Sequence, residues 1–352
     1  MSDLAQSRAA VGAKRSQKTF SNKTMKKQSR SLSEAQPTIL PLDSRIANIE
    51  WLRILAIYGI VWFHTDNLPG RSIGYAGLPI FLLLFYALSS RKPKPESFVV
   101  FAKKKVSRLL KPWIFWIVVY TVCILIKRTL DGSSHSKIFS GYIFLAGPKI
   151  HLWYMPFAFL SGLLVNLLQR FTQKISPKAL VFFGALIGGV LLLFCSMLMT
   201  SITMMPIKWN TPIPQWIFAL PAIPLGFSIG RAYSGFHSQD KKRPLLYLWI
   251  VLVVEAVCLI MFCFNYIQMI IPYSIAILLV CVAFLSKSQC GKTLLKFSSL
   301  AFGIYLIHPL IASLLDVIGL NSIHSVVFAT MLFFISALIV MLFQKTPLRQ
   351  FV

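Results

Sequence analysis

The chain has 352 residues, of which 56% are hydrophobic and 13% are charged, and its formal net charge is +26. Soluble domains usually contain about 25% charged residues, so this composition excludes an ordinary soluble globular protein. Uninterrupted apolar runs such as residues 179–199 approach the roughly 20 residues that a membrane-spanning helix needs. We therefore predict an all-α, polytopic membrane protein.

Residues 1–44 differ from the rest of the chain. They contain many Ser, Gln, Lys and Arg residues and few large apolar ones, a composition that predicts a disordered, basic, cytoplasmic tail. The charge of such a tail can fix topology or hold it against anionic lipid headgroups. We find no pattern of a cleaved secretory signal.

Ten apolar segments follow the tail. If the N-terminus is cytoplasmic, 29 of the 36 Lys and Arg residues fall in the N-terminal tail, cytoplasmic loops and C-terminal end, and six fall in outer loops. The remaining one, Arg53, lies within the first apolar segment. Because basic residues gather on the cytoplasmic side, we predict ten transmembrane helices with both termini cytoplasmic, and no nucleic-acid partner. The transmembrane domain is predicted to cover residues 45–345, and residues 346–352 to form a short cytoplasmic tail. The segments are approximately 46–64, 73–90, 108–126, 150–168, 178–200, 213–231, 245–264, 270–286, 297–315 and 323–343.

The first segment contains ionisable residues that lipid does not tolerate. Arg53 and His64 are eleven residues apart, which on a helix returns to within roughly 20° of one direction and spans about 16 Å. Ionisable groups at membrane depth usually mark a functional site, and Glu50 is spaced to pair with Arg53. The alternative is a structural pair at the interface, with Arg53 reaching the headgroups and His64 lying beside Asp66.

A basic cluster precedes the third segment. In residues 98–113, Lys104, Lys105, Arg108 and Lys111 share a broad helical face. Fixed cations at the cytoplasmic surface suit a ligand that carries phosphates. The same cluster also suits a purely topological or lipid-contacting role.

Five stretches, taken in order, resemble the acyltransferase-3 family of integral membrane enzymes, which O-acylate carbohydrates at the cell envelope. The resemblance covers most of residues 45–343. Two details depart from the family pattern: Lys105 stands where the family has arginine, and the second helix ends without glycine. The five stretches are Glu50, Arg53 and His64 in "IEWLRILAIYGIVWFH"; "GLPIFLLLFYALSS" (77–90); Lys105, Arg108 and Pro112; "HLWYM" (151–155); and "FGIYLIHPLI" (302–311).

The resemblance implies an acyl-CoA donor, commonly acetyl-CoA, as co-substrate and a sugar hydroxyl as acceptor. The expected donor-binding residues are Lys104, Lys105 and Arg108. His64, together with Arg53 and Glu50, is the expected catalytic group. A histidine suits a general base at neutral pH, and it can also carry the acyl group covalently, so both roles fit His64.

The acceptor side is expected to use aromatic and imidazole rings, because sugars stack on such rings. The candidates also have structural explanations. For His151, Trp153 and Tyr154 the explanation is an interfacial aromatic belt. For His308 it is a hydrogen bond to a backbone carbonyl that Pro309 leaves without a donor. The six cysteines lack metal-ligand spacing, so we predict no metal site and no bound cofactor. The candidates are His151, Trp153, Tyr154, Tyr305 and His308.

The predicted location is the inner or plasma membrane. Membrane lipid, acyl-CoA, an envelope carbohydrate and polysaccharide-assembly proteins are the expected partners. One alternative is an exporter of polysaccharide or lipid-linked sugar, whose mark would be broken helices or symmetric half-repeats. Another is a lipid acyltransferase that faces the cytoplasm, against which the outer position of His64 counts.

Overall fold

The computed structural model describes residues 46–92, 94–132, 143–204, 212–234, 242–264, 267–286, 288–320 and 323–352. The predicted disordered tail, residues 1–44, lies outside them. The described residues belong to one compact unit, Ile46–Val352, which is built from helices without a β-strand in these ranges. The all-α prediction is therefore confirmed.

The first half of the unit runs from α1 to α7. A π-helical turn, Val106–Leu110, joins α4 to α5, and a 3-10 helix, Ile150–Trp153, leads into α7. The α-helices are α1 (Ala47–His64), α2 (Arg71–Tyr75), α3 (Gly77–Ser90), α4 (Phe98–Lys105), α5 (Lys111–Leu130), α6 (Ile143–Ala146) and α7 (Tyr154–Phe171).

The second half runs from α8 to α15 and ends in another 3-10 helix, Pro347–Phe351. Its helices are α8 (Pro177–Met204), α9 (Ile213–Ala219), α10 (Ala222–Ser234), α11 (Lys242–Cys263), α12 (Ile267–Leu285), α13 (Lys292–Ser299), α14 (Ala301–Val317) and α15 (Ser325–Gln344).

Seven helical stretches in the described ranges are long and apolar enough to cross a membrane, and α13 with α14, bent by 43°, would make an eighth. Each of the ten predicted segments overlaps a helix, but α1 and α12 do not meet the same criteria. In α1 the polar side chains lower the mean hydropathy. The protein is therefore a multi-pass membrane protein, whereas the number of ten spans and the side of the termini stay predictions.

Helix α3 lies at the centre of the bundle and contacts α1, α7, α10 and α12. Its packing against α10 is close because α10 presents glycine there. A Cβ at Gly230 would collide with the Ser90 hydroxyl and the Ala87 carbonyl. Small residues permit this kind of backbone approach between membrane helices, so α3 and α10 are closely packed along this contact.

Helix α1 buries charge and exposes apolar surface. Trp51 and Leu55 are 55% and 59% exposed, whereas Glu50 is 4% exposed. Its first residue is fixed by a hydrogen bond from Ala47 N to Ser288 O, 2.9 Å, and the helix packs against α3, α13, α14 and α15. The polar side of α1 therefore faces protein, and its apolar side is left for lipid.

Candidate active site

A cavity of about 810 Å³ opens at the Arg53 end of α1. It lies among α1, α3, α4, the π-helical turn, α7, α14 and the final 3-10 helix. Its volume falls within the roughly 300–1,000 Å³ that is typical of ligand sites. We call it the cationic cavity, because the residues that line it include one acidic side chain, Glu96, and six basic ones: Arg53, Lys92, Lys104, Lys105, Arg108 and Arg349.

Three members of the predicted basic cluster, Lys104, Lys105 and Arg108, line this cavity, whereas Lys111 is not among its described lining residues. Lys104 and Lys105 end α4, and Arg108 lies in the π-helical turn that follows. Such turns occur frequently at functional sites. Lys105 Nζ lies 3.8 Å from the centre of the Phe85 ring, a cation–π contact that holds the ammonium at the cavity wall.

Glu96 forms ion pairs with two of the six cations. Its carboxylate accepts hydrogen bonds from Lys92 Nζ at 2.6 Å and Lys104 Nζ at 3.0 Å. The Lys92 ammonium, followed by that of Lys104, lowers the pKa of this carboxyl, which lies in the loop before α4. The Glu96 backbone carbonyl accepts from Asn166 and Arg170 of α7, so the loop is fixed against the bundle.

Arg53 is oriented by a buried carboxylate. Glu50 Oε2 accepts from Arg53 Nη1 at 3.0 Å and from Ser298 Oγ at 2.6 Å. The predicted contact between Glu50 and Arg53 is thus present, and Ser298 of α13 supplies a second donor to the same carboxylate. This arrangement holds the Arg53 side chain, which is 30% exposed, at the cavity.

The other two guanidinium groups keep their charge uncompensated. Within the described ranges, no ion pair is formed by Arg108 or by Arg349. Both side chains are exposed and line the cationic cavity from different segments of the chain. They are therefore the two exposed guanidinium groups that no ion pair among the described residues competes for.

Three histidines gather at the other end of α1. The ring centre of His64 lies 5.4 Å from that of His308, and the His308 ring lies 6.1 Å from that of His151. His308 is fully buried and His151 is 6% exposed, whereas His64, the last residue of α1, keeps an accessible surface. His64 is thus the group that a substrate from outside the bundle can approach.

The tautomer of His308 follows from its neighbours. Its Nδ1 lies 3.1 Å from Ile304 O and 3.0 Å from Tyr305 O. Carbonyl oxygens only accept, so Nδ1 carries the proton and Nε2 is left as a lone-pair acceptor. Pro309 has no N–H for the Tyr305 carbonyl, and the imidazole takes that place. Its Nε2 is buried without a hydrogen-bond partner among the described atoms.

The cationic cavity and the histidines are connected by aromatic side chains. A second, apolar cavity of about 30 Å³ is lined by residues of α1, α3, α7 and α14, and no histidine is among its described lining residues. Phe302 lines both cavities. Tyr305 lines the apolar cavity, its hydroxyl donates to the His151 carbonyl, and its ring centre lies 5.9 Å from His151 and 6.3 Å from His308.

All five acceptor candidates are buried, including the two aromatic residues expected at the outer interface, Trp153 and Tyr154. Trp153 is 4% exposed and packs against Phe157, with ring centres 5.6 Å apart; as far as the described residues define the two cavities, it lines neither. Tyr154 lines the apolar cavity. Asp66 is 88% exposed and pairs with Arg71 at 3.6 Å.

Sequence reasoning missed several residues that line the cationic cavity. Asn166 and Gln169, three residues apart in α7, are 1% and 4% exposed, and two amides inside an apolar segment were a readable signal of a polar site. Phe302, Glu96 and Arg349 gave no local signal, because their positions depend on how distant segments pack.

The fold and the site together describe a membrane-embedded helical bundle with a charged cavity at one end of α1 and buried imidazoles at the other. No group of residues suited to hold a metal ion occurs in the part of the chain that the structure describes. A comparison with protein-family models matches residues 46–344 to the acyltransferase-3 family, which is described as an acyltransferase domain. The chain therefore belongs to this family and is a membrane acyltransferase. Neither curated proteins nor solved structures returned a match.

Proposed function

We propose that the protein transfers an acetyl group from cytoplasmic acetyl-CoA to a hydroxyl of an envelope or exopolysaccharide sugar. The observation that carries this proposal is the path that aromatic residues mark from the cationic cavity toward the histidines: Phe302 lines both cavities, and Tyr305 lines the apolar cavity with its ring centre 6.3 Å from that of His308. A transferase that joins a cytoplasmic donor to an outer acceptor needs such a path. The enzyme belongs in the cell membrane, where polysaccharide-assembly proteins supply its acceptor.

The donor end has the chemistry of a polyanion site. CoA carries several phosphate charges and is made in the cytoplasm, where the positive-inside rule puts this end of α1. Arg53, Lys104, Lys105 and Arg108 line one cavity, and guanidinium and ammonium groups bind phosphate through charge-assisted hydrogen bonds. The nucleotide part of the donor therefore lies in the cationic cavity.

The size of the apolar cavity supports acetyl as the transferred group. The acyl-bearing arm extends past Phe302, and the acyl methyl lies among the apolar residues beyond. A water molecule needs about 10–15 Å³ of such space, and the cavity offers about 30 Å³. That is enough for a group of two or three heavy atoms, and longer acyl chains require side chains to move.

The chemical step places His64 between donor and acceptor. Its unprotonated ring nitrogen accepts the proton of the sugar hydroxyl while that oxygen attacks the thioester carbon. A C–O bond forms, the C–S bond breaks and CoA leaves as the thiolate, which then takes up a proton. Two orders of events fit: direct attack with His64 as base, or transfer of the acetyl group to His64 first and to the sugar second.

The exporter alternative also has an observation in its favour. Helices α13 and α14 form a pair bent by 43°, and interrupted helices are a feature of transporter sites. The break lies at Leu300, next to Ser298 and its bond to Glu50. An exporter would move glycan without acyl transfer, so the two functions differ in whether label from the donor reaches the sugar.

The test supplies acetyl-CoA labelled in the acetyl group to inverted membrane vesicles that contain the protein and candidate glycans. We expect alkali-labile label in the glycan fraction, and its loss in His64→Ala. His324→Ala is the matched control, because His324 is an exposed histidine outside the cluster. Glycan translocation without labelling in the wild-type protein would support the exporter and end the transferase proposal.

A further inference from the structure

The final 3-10 helix, Pro347–Phe351, is not a free tail but part of the cavity wall. The Phe351 ring stacks on Phe115 of α5, with centres 4.3 Å apart and planes 11° apart. Trp116 Nε1 donates to Phe351 O at 2.9 Å, and Trp116 is 1% exposed. A buried indole that donates to this backbone fixes the helix in place, since leaving it unpaired would cost about 1–3 kcal/mol.

The start of this helix is fixed as well. Thr346 Oγ1 accepts from Leu348 N at 3.2 Å, which caps the first turn. Anchored at both ends, the helix directs Arg349 and Gln350 to the cationic cavity, which both of them line. Val352, the residue after this helix, lines the cationic cavity too, together with Phe302, which also lines the apolar cavity.

The charges around the cavity distinguish Arg349 from most of its neighbours. Lys92 and Lys104 are paired with Glu96, and Arg53 with Glu50, while Lys105 lies over the Phe85 ring. Arg108 and Arg349 are the two lining cations without such a contact among the described residues. A guanidinium offers a planar fork that binds two phosphate oxygens at once.

We propose that Arg349 is a donor-binding residue, which contacts a phosphate of the nucleotide from the side opposite Arg108, and that the stacking of Phe351 on Phe115 holds it there. This inference rests on the proposed function, since it assigns a residue to the same donor. It makes residues 347–351 one wall of the nucleotide site. Loss of the anchor then has the same effect as loss of the guanidinium.

The experiment measures binding of CoA and of pantetheine, which lacks the nucleotide and its phosphates, to the purified full-length protein in lipid nanodiscs by isothermal titration calorimetry. Arg349→Ala is expected to weaken CoA binding at least about tenfold and to leave pantetheine binding unchanged. The CoA affinity of Arg349→Lys should fall between those of the wild-type protein and Arg349→Ala. Lys345→Ala is the matched control: this lysine is exposed one turn earlier and is not among the lining residues.

Phe351→Ala tests the anchor. It is expected to weaken CoA binding by about the same factor as Arg349→Ala, and the double variant should be no weaker than either single one, because the two changes remove one interaction. Gel filtration and thermal unfolding check that each variant is folded.

Three results overturn the proposal. If Arg349→Ala binds CoA as tightly as the wild-type protein does, Arg349 does not contact the donor. If the variant loses CoA and pantetheine affinity equally, the role of the residue is structural. Additive losses in the double variant remove the role of the anchor. Absence of CoA binding in the wild-type protein would instead end the proposed function itself, so the two failures are distinguishable.

Discussion

The surroundings of the two ends of α1 differ in cavity volume and in charge. At the Arg53 end, a cavity of about 810 Å³ is lined by six basic side chains, several of them exposed. Toward the His64 end, the separate apolar cavity measures only about 30 Å³ and its lining is apolar or aromatic, and two of the three histidines gathered at that end are buried. One helix therefore links a wide, charged site to a narrow, nearly uncharged one.

The difference indicates how each end responds to change. In the wide cavity, several cations would share the proposed donor and water screens each of them, so the loss of one should be partly compensated by the others. At the other end, the proposed proton transfer depends on His64, because the neighbouring His308 ring is fully buried. We therefore expect the largest effects at the His64 end and progressively smaller ones toward the rim of the cationic cavity.

The largest effect is expected for His64→Ala. A positioned general base contributes about 10²–10⁴-fold to rate, so glycan O-acetylation per inserted molecule should fall by at least that factor. Because His64 is exposed at the end of α1, the amount of inserted protein should stay close to wild type. Acetyl release from the glycan, divided by protein in the membrane, is the measurement. Activity that falls only in proportion to abundance would mean a structural role.

Next in size is Arg108→Ala. This guanidinium lines the cationic cavity and forms no ion pair within the described ranges. Its loss is expected to weaken CoA binding about ten- to a hundredfold, since hydrogen bonds to charged groups contribute about 1.5–3 kcal/mol. Lys103→Ala is the control, because Lys103 is a neighbouring exposed cation that is not among the lining residues.

A companion variant tests the departure from the family pattern. Lys105→Arg should bind CoA as well as the wild-type protein or better, because the charge stays over Phe85 and gains a planar fork.

The outcome for Arg108→Ala decides the role of the whole basic cluster. If that variant leaves CoA affinity and turnover unchanged, the cluster is only a topological signal. Binding by calorimetry and turnover with labelled donor separate these outcomes.

Much of this comparison was predictable from local spacing. Eleven residues between Arg53 and His64 put both on one side of a helix, and the structure has one beside the cationic cavity and the other beside His308. The basic face of Lys104, Lys105 and Arg108 was equally readable. These inferences succeed because the helix relates near neighbours by a fixed rotation and rise.

What escaped prediction depends on contacts between distant segments. The pairing of Glu96 with Lys104 depends on the path of a loop, and Arg349 lies at the cavity in a helix whose contacts, such as the stacking of Phe351 on Phe115, come from a distant segment. Aromatic residues such as Trp153 pack equally well at an interface or in a core, so their type alone does not locate them. For these residues, tertiary packing decides the position.

A smaller and more selective effect is expected for Leu78→Ala. Leu78 lines the apolar cavity and is 7% exposed, so truncation enlarges the space that we assign to the acyl methyl. The ratio of turnover with propionyl-CoA to turnover with acetyl-CoA should rise about tenfold, because one methylene in a hydrophobic pocket is worth about 1–3 kcal/mol.

Leu82→Ala is the control for that variant. Leu82 lies one turn further along α3, is fully buried and is not among the residues that line the apolar cavity. It should lower stability, as core truncations do, without changing the ratio. A ratio that rises equally in both variants would contradict the assignment of the apolar cavity to the acyl group.

The smallest effect is expected at the rim, for Glu96→Gln. The change removes the one acidic side chain among the described residues that line the cationic cavity, and it frees the ammonium groups of Lys92 and Lys104 for the ligand. Exposed ion pairs are worth about 0.2–1 kcal/mol, so CoA affinity should rise no more than about fivefold. The gain should shrink as salt is added, because exposed charges are screened.

The pH dependence of this gain follows from the same ion pairs. The Lys92 ammonium, with Lys104, holds the pKa of the Glu96 carboxyl below its ordinary value, so the carboxylate stays ionised until the pH falls through that lowered value. The ion pairs are present at neutral pH and lost only in acid. Between about pH 6 and 8, well above the ordinary glutamate pKa, the ratio of CoA affinities of Glu96→Gln and wild type should therefore be constant. Calorimetry across that range checks it, and weaker binding by Glu96→Gln would mean that the carboxylate positions the two lysines for the donor rather than competing with it.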